Sequence, residues 1–450
     1  MMRTKVFSFA ARFRPPVFLA TLLAVSLLLP TNVVGAGEKK SAGSVARVTL
    51  EVYGSVTARD GQRLRLITDL GNVVIRTRDS GKVDYHVHLE ADASQKNAAQ
   101  LLKSFTVNAH DTAEGVSFRG QTFGRQLRGR LWVTLEINVP RNYGLDVYTG
   151  GGNIETEDIN GRVALSTAGG NILAGNVGGA ARLVTDGGHI TAKNVGGELS
   201  ANTGGGHITI GSVSGSASLH TNGGHIRVAS VKGLARLDTG GGNITLEHSG
   251  GELVAETVGG QIEVGEAAGL VRAKTGGGGI RVVRVSGPTN LETGGGSIYL
   301  TQVDGAVRAT TGAGGITAWF VSPPKQTDTC DLQSGDGDIV VYLPRQLAVT
   351  IDAQIQQGNE HHVIADPAFP LKVSYDDASN GSRRVRAMGE LNGGGEVLRL
   401  RTVAGNIRLI LSDSSKQVQI YRQQMEQIQQ KLATQLRMIE QSLPGADERP

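Results

Sequence analysis

Apolar positions between Thr149 and Gly315 return at one fixed interval. Ile154, Ile172, Ile190, Ile208, Ile226, Ile244, Ile262, Ile280, Ile298 and Ile316 stand 18 residues apart throughout. Within a unit, further apolar residues fall five and ten places after a Thr, as at Ile208 and Val213, and fourteen and sixteen places after it, as at Leu253 and Ala255. The last two and the next Thr form a period-two row, which only a strand points to one side. The units carry Thr-x-Gly-Gly-x-Ile with hardly any drift, and a second Gly twelve places after the Thr, from Gly161 to Gly305. Pairs such as Gly187-Gly188 and Gly223-Gly224 supply the positive-φ or close-approach backbone of tight corners.

Strands alternating with corners at a strict period predict a solenoid. Equivalent residues would stack ~4.8 Å apart through parallel main-chain hydrogen bonds, so ten coils make a rod roughly 43 Å long. The inward residues are Val, Ile, Leu, Ala and Thr, which implies a thin, dry interior with no room for a cofactor. A left-handed three-sided helix wants an apolar residue every six places, and this unit lacks that. The predicted fold is therefore all-β: a single-chain, flattened or irregular β-solenoid of 18-residue coils with an N-terminal β-rich cap and a C-terminal α-helix.

The flanks carry weaker patterns. Val48–Tyr53, Leu64–Ile67, Val73–Ile75 and Val83–Leu89 read as strands. Asp92 or Ser94 is placed to cap a short helix running to Phe105, with Ala98, Leu101 and Leu102 on one face. This segment is expected to cover the rod's open end. After an insertion around 322–327, Ile339 resumes the pattern, which sets Cys330 at an inward position. Gly405-Asn406-Ile407 repeats the corner theme. Beyond Ser415 the chain turns Gln-rich, and Tyr421, Met425, Ile428, Leu432, Leu436, Ile439 and Leu443 form one apolar stripe ending at Pro444. That stripe suits either self-association or docking on the solenoid end.

Composition adds where the protein is expected to reside. The chain has 450 residues, 64 of them Gly, without a collagen period. Arg3, Lys5, Arg12 and Arg14 precede an apolar run from Val17 to Leu29, and Val34-Gly35-Ala36 offers a cleavage site, so 1–36 reads as a secretory signal. Those four basic residues account for the net charge of +4. The predicted organisation is a signal peptide over 1–36, a linker over 37–45, the cap over 46–140, solenoid repeats over 141–322, a closing β segment over 323–411, and a Gln-rich amphipathic helix and tail over 412–450. With one Cys there is no internal disulfide, and Cys330 reads as a buried structural thiol. The neutral mature chain gives no reason to expect nucleic acid as a partner.

Candidate chemistry centres on the residue four after each Thr: Asn153, Asn171, His189, His207, His225, Asn243 and Gln261. His189, His207 and His225 in register, ~4.8 Å apart, are the metal candidates. The flanking Asn and Gln favour instead a stacked polar ladder that satisfies corner backbone groups. Gly335-Asp-Gly-Asp338 reads as corner chemistry, because no calcium-binding nonapeptide array surrounds it. His86-x-His88 and His361-His362 read as isolated solvent or edge residues. Outward Arg182, Arg236, Arg272 and Arg308 beside Asp238, Glu256 and Glu292 read as a solvated, partly paired face. No catalytic motif occurs, and outward aromatics are confined to Tyr299, Trp319 and Phe320 near the rod's end.

Leu70-Gly-Asn-Val-Val-Ile75, Val139-Pro140, Leu145–Thr149, the repeated corners, Ser334-Gly-Asp-Gly-Asp-Ile339 and Leu391-Asn-Gly-Gly-Gly395 together resemble a bacterial family of exported, adhesin-like proteins built from Gly-rich β-strand repeats. The resemblance covers roughly 64–411 and implies no catalytic residues. The expected function is a secreted, non-enzymatic adhesin-like or cell-envelope scaffolding module with no cofactor. Its partner would be a surface or envelope protein or glycan, and no segment would cross a membrane after signal removal. The alternatives are an envelope-stress or signalling module that binds a partner and a polysaccharide-active enzyme. The place is extracytoplasmic: periplasm, cell surface or medium.

Overall fold

The computed structural model describes residues 46–123, 130–321, 330–377, 383–412 and, in the C-terminal helix, 419–420, 423–428, 430 and 433–434. The signal peptide and linker predicted over 1–45, and the insertion around 322–327, lie outside the described residues.

Each coil crosses two facing parallel sheets once. Leu199–Thr203 lies in what we term the Thr-side sheet, the Thr-x-Gly-Gly corner turns the chain, and Ile208–Val213 lies in the Ile-side sheet. Like pairs with like: Ile208 stands between Ile190 and Ile226, and Thr203 between Thr185 and Thr221. The coil is thus two-sided. Ile208, Ile210 and Val213 of one sheet and Leu199 and Ala201 of the other are buried between the layers. Each fully buried Val, Leu or Ile contributes about 1.5–3 kcal/mol, and the coils repeat that gain down the rod.

The glycines split into two kinds. At the second corner Gly, such as Gly188, an added Cβ would sit 2.0 Å from the carbonyl oxygen of Gly170 in the coil below. At the first, such as Gly187, it would meet nothing within 4 Å. Close approach of stacked backbone, rather than positive φ, therefore demands Gly at these corners. The exceptions stand at the two ends of the stack, where Gly71, Gly152 and Gly405 have φ of 115, 125 and 151.

Within the stretch expected to form a cap, Arg63–Thr68 and Asn72–Arg78 are themselves a coil, parallel to Gly144–Thr149 and Ile154–Thr156. The true flank lies outside it. Leu131–Pro140, Lys82–Asp92 and the edge strand Arg47–Thr57 extend the Ile-side sheet, the last two by antiparallel pairing. Gly115–Thr122 and the antiparallel Phe105–Thr112 extend the Thr-side sheet. The short helix runs Ala98–Ser104 with Ala98, Leu101 and Leu102 buried. It starts later than expected, after Asn97 and without a side-chain cap, and Asp92 Oδ1 accepts the Ser94 N–H at 2.9 Å in an Asx turn ahead of it.

At the other end, Cys330–Asp336 and Ile339–Pro344 continue the two sheets, with Ile339 on Ile316 and Cys330 buried as expected. Val397–Ala404 and Ile407–Ser412 stack directly on them. The intervening chain supplies the next coil, Val349–Ile355 and Val363–Ala365 lying parallel to that pair on its far side, and Arg383–Leu391 and Lys372–Asp377 add antiparallel strands to the Thr-side sheet. Phe320, expected to face outward, is buried because it pairs with inward Val303.

The C-terminal helix lies on the rod's flank, not its end. Met425 and Ile428 pack on Val283, which is fully buried beneath them. Thr301 Oγ1 donates to Gln424 Oε1 at 2.6 Å. Val283 and Thr301 stand on the outward side of the Ile-side sheet. The other stripe residues predicted for this helix lie outside the described residues.

Candidate functional site

The corner joining the two sheets is built from Thr, Gly and one polar residue. Thr203 Oγ1 donates to the Gly188 carbonyl in the coil below at 2.7 Å and accepts the Gly206 N–H of its own corner at 3.2 Å. The same pair of bonds recurs at Thr185 and Thr221. A buried hydroxyl doubly engaged in this way explains Thr where Val has the same shape, since an unpaired buried polar group costs about 1–3 kcal/mol.

Next to it the polar residues run as a continuous ladder. The Asn171 N–H donates to Asn153 Oδ1 at 2.9 Å and the His189 N–H to Asn171 Oδ1 at 2.8 Å. The His207 N–H donates to His189 Nδ1 at 2.9 Å, the His225 N–H to His207 Nδ1 at 2.9 Å, and the Asn243 N–H to His225 Nδ1 at 2.8 Å. Gln261 N–H closes the run on Asn243 Oδ1 at 3.0 Å. The imidazoles are stacked with centroids 4.9 Å apart and planes within 13°.

This geometry sets their chemistry. A backbone donor on Nδ1 assigns the neutral ring's proton to Nε2. Parallel rings also send their nitrogens along parallel directions, whereas a shared metal needs lone pairs converging at ~2.0–2.1 Å. Among the described residues no group of three or more His, Cys, Asp or Glu side chains is arranged to hold a metal ion. Protonation would set an Nδ1–H against a backbone N–H. Burial first, then the neighbouring His189 and His225 and the Arg227 guanidinium, lower the pKa of His207. Burial and Arg227 lower that of His225.

Asp338 occupies the equivalent place in a later coil, where its Oδ1 accepts the Asn406 N–H at 2.8 Å. The Gly335–Asp338 stretch is thus corner chemistry in the structure as well. On the Thr-side face, Arg272 pairs with Glu252 and Lys274 with Glu292, both at 2.9 Å and well exposed. Such pairs are worth about 1 kcal/mol or less.

Two clusters escaped the sequence. His86 and His88 are joined, not isolated. His86 Nε2 lies 2.6 Å from Glu51, His88 Nδ1 2.5 Å from Glu51 and His88 Nε2 2.8 Å from Glu90, with Tyr53 stacked on His86. Burial works against a charged His88, but its bonds to Glu90 and Glu51 prevail and raise its pKa. His86-x-His88 does announce one strand face; the antiparallel register that brings Glu51 opposite does not show in sequence. The second is a polar run at another corner, Asp158, Asn176, Asn194 and Ser212, in which Asn176 Nδ2 donates to Asp158 at 2.8 Å and Asn194 Nδ2 to Asn176 at 2.7 Å. Its 18-residue spacing was the available signal.

A groove of about 620 Å³ lies near the first coil, lined by Gln62, Arg63, Glu114, Asn142, Asp146 and Arg162 among others. Its carboxylates sit beside arginines, Glu114 with Arg63 and Asp146 with Arg65.

The stacked two-sheet coils define the class of protein as a β-solenoid. Residues 62–282 match the family model described as Toastrack DUF4097, so this stretch carries a Toastrack domain. Among solved structures, a putative cell adhesion protein from Clostridium sporogenes is similar at 9% identity, covering 81% of this chain and 100% of its own, with a TM-score of 0.20. A putative adhesin from Bacteroides fragilis is similar at 12% identity, covering 56% and 97%, with a TM-score of 0.27. No curated protein matches the sequence.

Proposed function

We propose that the chain is an exported, non-enzymatic β-solenoid acting as an adhesin-like or envelope scaffolding module. The observation that carries this reading is the uninterrupted stack from Ile154 to Ile316, which repeats the same polar corner and the same faces coil after coil. Repetition presents many weak, similar contacts whose combined avidity can far exceed any one of them. Among the described residues no helix is long and apolar enough to cross a membrane. Cell fractionation with protease shaving of a tagged chain tests the place. Recovery in the cytosol would contradict the proposal, and so would release of new reducing ends from a glycan panel.

The partner-binding alternative draws on the C-terminal helix. Its described apolar residues Met425 and Ile428 already face Val283, which supports a role for the helix within the chain. Deleting 415–450 separates the two: loss of a partner in pull-down with surface attachment intact would favour the helix as the contact element.

A further inference from the structure

Every rung of the corner ladder spends its acceptor and keeps its donor. Asn153 and Asn171 accept through Oδ1 and His189, His207 and His225 through Nδ1. Each therefore retains an amide or Nε2 N–H with no partner among the described residues. Asn171, His189 and Asn243 are exposed, and the others are half-buried. The outcome is a line of like donors at the coil repeat, seen directly in the 4.9 Å spacing of the imidazoles.

The surroundings of this line are one-sided. Beside Asn171 to Asn243 the outward row two places further on reads Leu173, Thr191, Thr209, Arg227, Thr245, without a carboxylate, whereas Glu155 stands beside Asn153. On the other side lie Gly169, Gly187, Gly205, Gly223 and Gly241, where an added Cβ meets nothing within 4 Å and φ is not positive. Neither packing nor backbone requires Gly there. Other coils carry Leu70, Ala313, Asp336 and Ala404 at the same corner position. The middle coils thus leave open the space beside their donors, and Asp186 is the carboxylate that borders it.

We propose that this edge, with its donor row from Asn171 to Asn243, binds a linear acidic polysaccharide lying parallel to the rod axis. Neutral sugar hydroxyls both give and accept hydrogen bonds, whereas a row that only donates is complementary to carboxylates, and hydrogen bonds to charged groups are the stronger kind. Arg227 adds a cation at the middle of the row. The polymer's repeating acceptors meet repeating donors, so affinity grows with chain length. The inference rests on the adhesin-like reading and names its ligand class.

The test is binding of the purified full chain to polygalacturonate, with its methyl-esterified form as the uncharged comparator. The wild type should bind the acid form saturably and the ester far more weakly. The double variant Asn171→Asp/His207→Asp keeps the acceptors that the ladder needs, as Asp338 does, but inverts the outer face. It should weaken binding at least about tenfold. His207→Asn keeps a donor and should stay within about twofold. Gly205→Val fills the open strip and should weaken binding with the thermal midpoint unchanged; it decides the matter if the Asp variant fails to fold. No binding of polygalacturonate, or equal binding by the wild type, the Asp variant and Gly205→Val, overturns the proposal. Cell attachment separates the two readings. Attachment that survives the Asp and Gly205→Val variants removes the edge and leaves the adhesin; polygalacturonate binding without any attachment does the reverse.

Discussion

At the scale of single residues, the corner turns on what each atom meets in the coil below. Gly188→Ala would force a Cβ to within 2.0 Å of the Gly170 carbonyl and should cost about 1–3 kcal/mol as the stack shifts to make room. Gly187→Ala, one residue away, should stay within about 0.5 kcal/mol. Urea denaturation of the two variants checks the contrast, and equal midpoints would contradict it. The histidines add a pH dependence of defined sign. His207 and His225 have folded values lowered from 6.5, so as pH falls the unfolded chain takes up protons first. Their stabilisation is complete above the ordinary value and is lost as pH falls through the lower folded values. His88, raised from 6.5, works the other way, contributing fully below the ordinary value and losing that contribution as pH rises through its folded value. His207→Asn/His225→Asn keeps the acceptors and removes the titration. Its urea midpoint should match wild type near pH 7.5 and exceed it near pH 5; parallel pH profiles would refute the ladder's role.

At the scale of elements, the helix and the flanks behave differently from the repeats. Ile428 and Met425 cover Val283 as a small cluster separate from the main core. Ile428→Asp should therefore release the helix without unfolding the rod. Hydrogen exchange should show residues 423–428 unprotected while Ile280–Val285 stays slow, whereas loss of protection in both would make the helix integral to the stack. The coils themselves were legible in the sequence, because a period of 18 with Ile, Thr and Gly in fixed places admits one kind of stacking. Less legible was anything that depends on pairing out of order. Gly405-Asn406-Ile407 announced a corner, yet nothing before the structure said that this coil inserts between the coils of Ile339 and Val363. The Glu51–His88 contact depended on an antiparallel register. The ladder was readable because its residues share the repeat; the one-sided donor face emerged only with the hydrogen bonds that consume the acceptors.

At the scale of the whole molecule, strands stacked in parallel from Ile154 to Ile316 make distance along the rod proportional to distance along the chain. Arg182, Arg272 and Arg308 are exposed and occupy the same outward place in their coils. Five coils separate the first pair and seven the outer pair, which corresponds to ~24 and ~34 Å at the strand spacing of a sheet. Spin labels at 182 with 272, and at 182 with 308, read those separations directly by pulsed electron resonance. Mean distances near these values, in the ratio of five to seven, are the result this account predicts. Separations that do not scale with the number of coils would mean that like residues are not stacked, and would contradict the rod together with the edge argued from it.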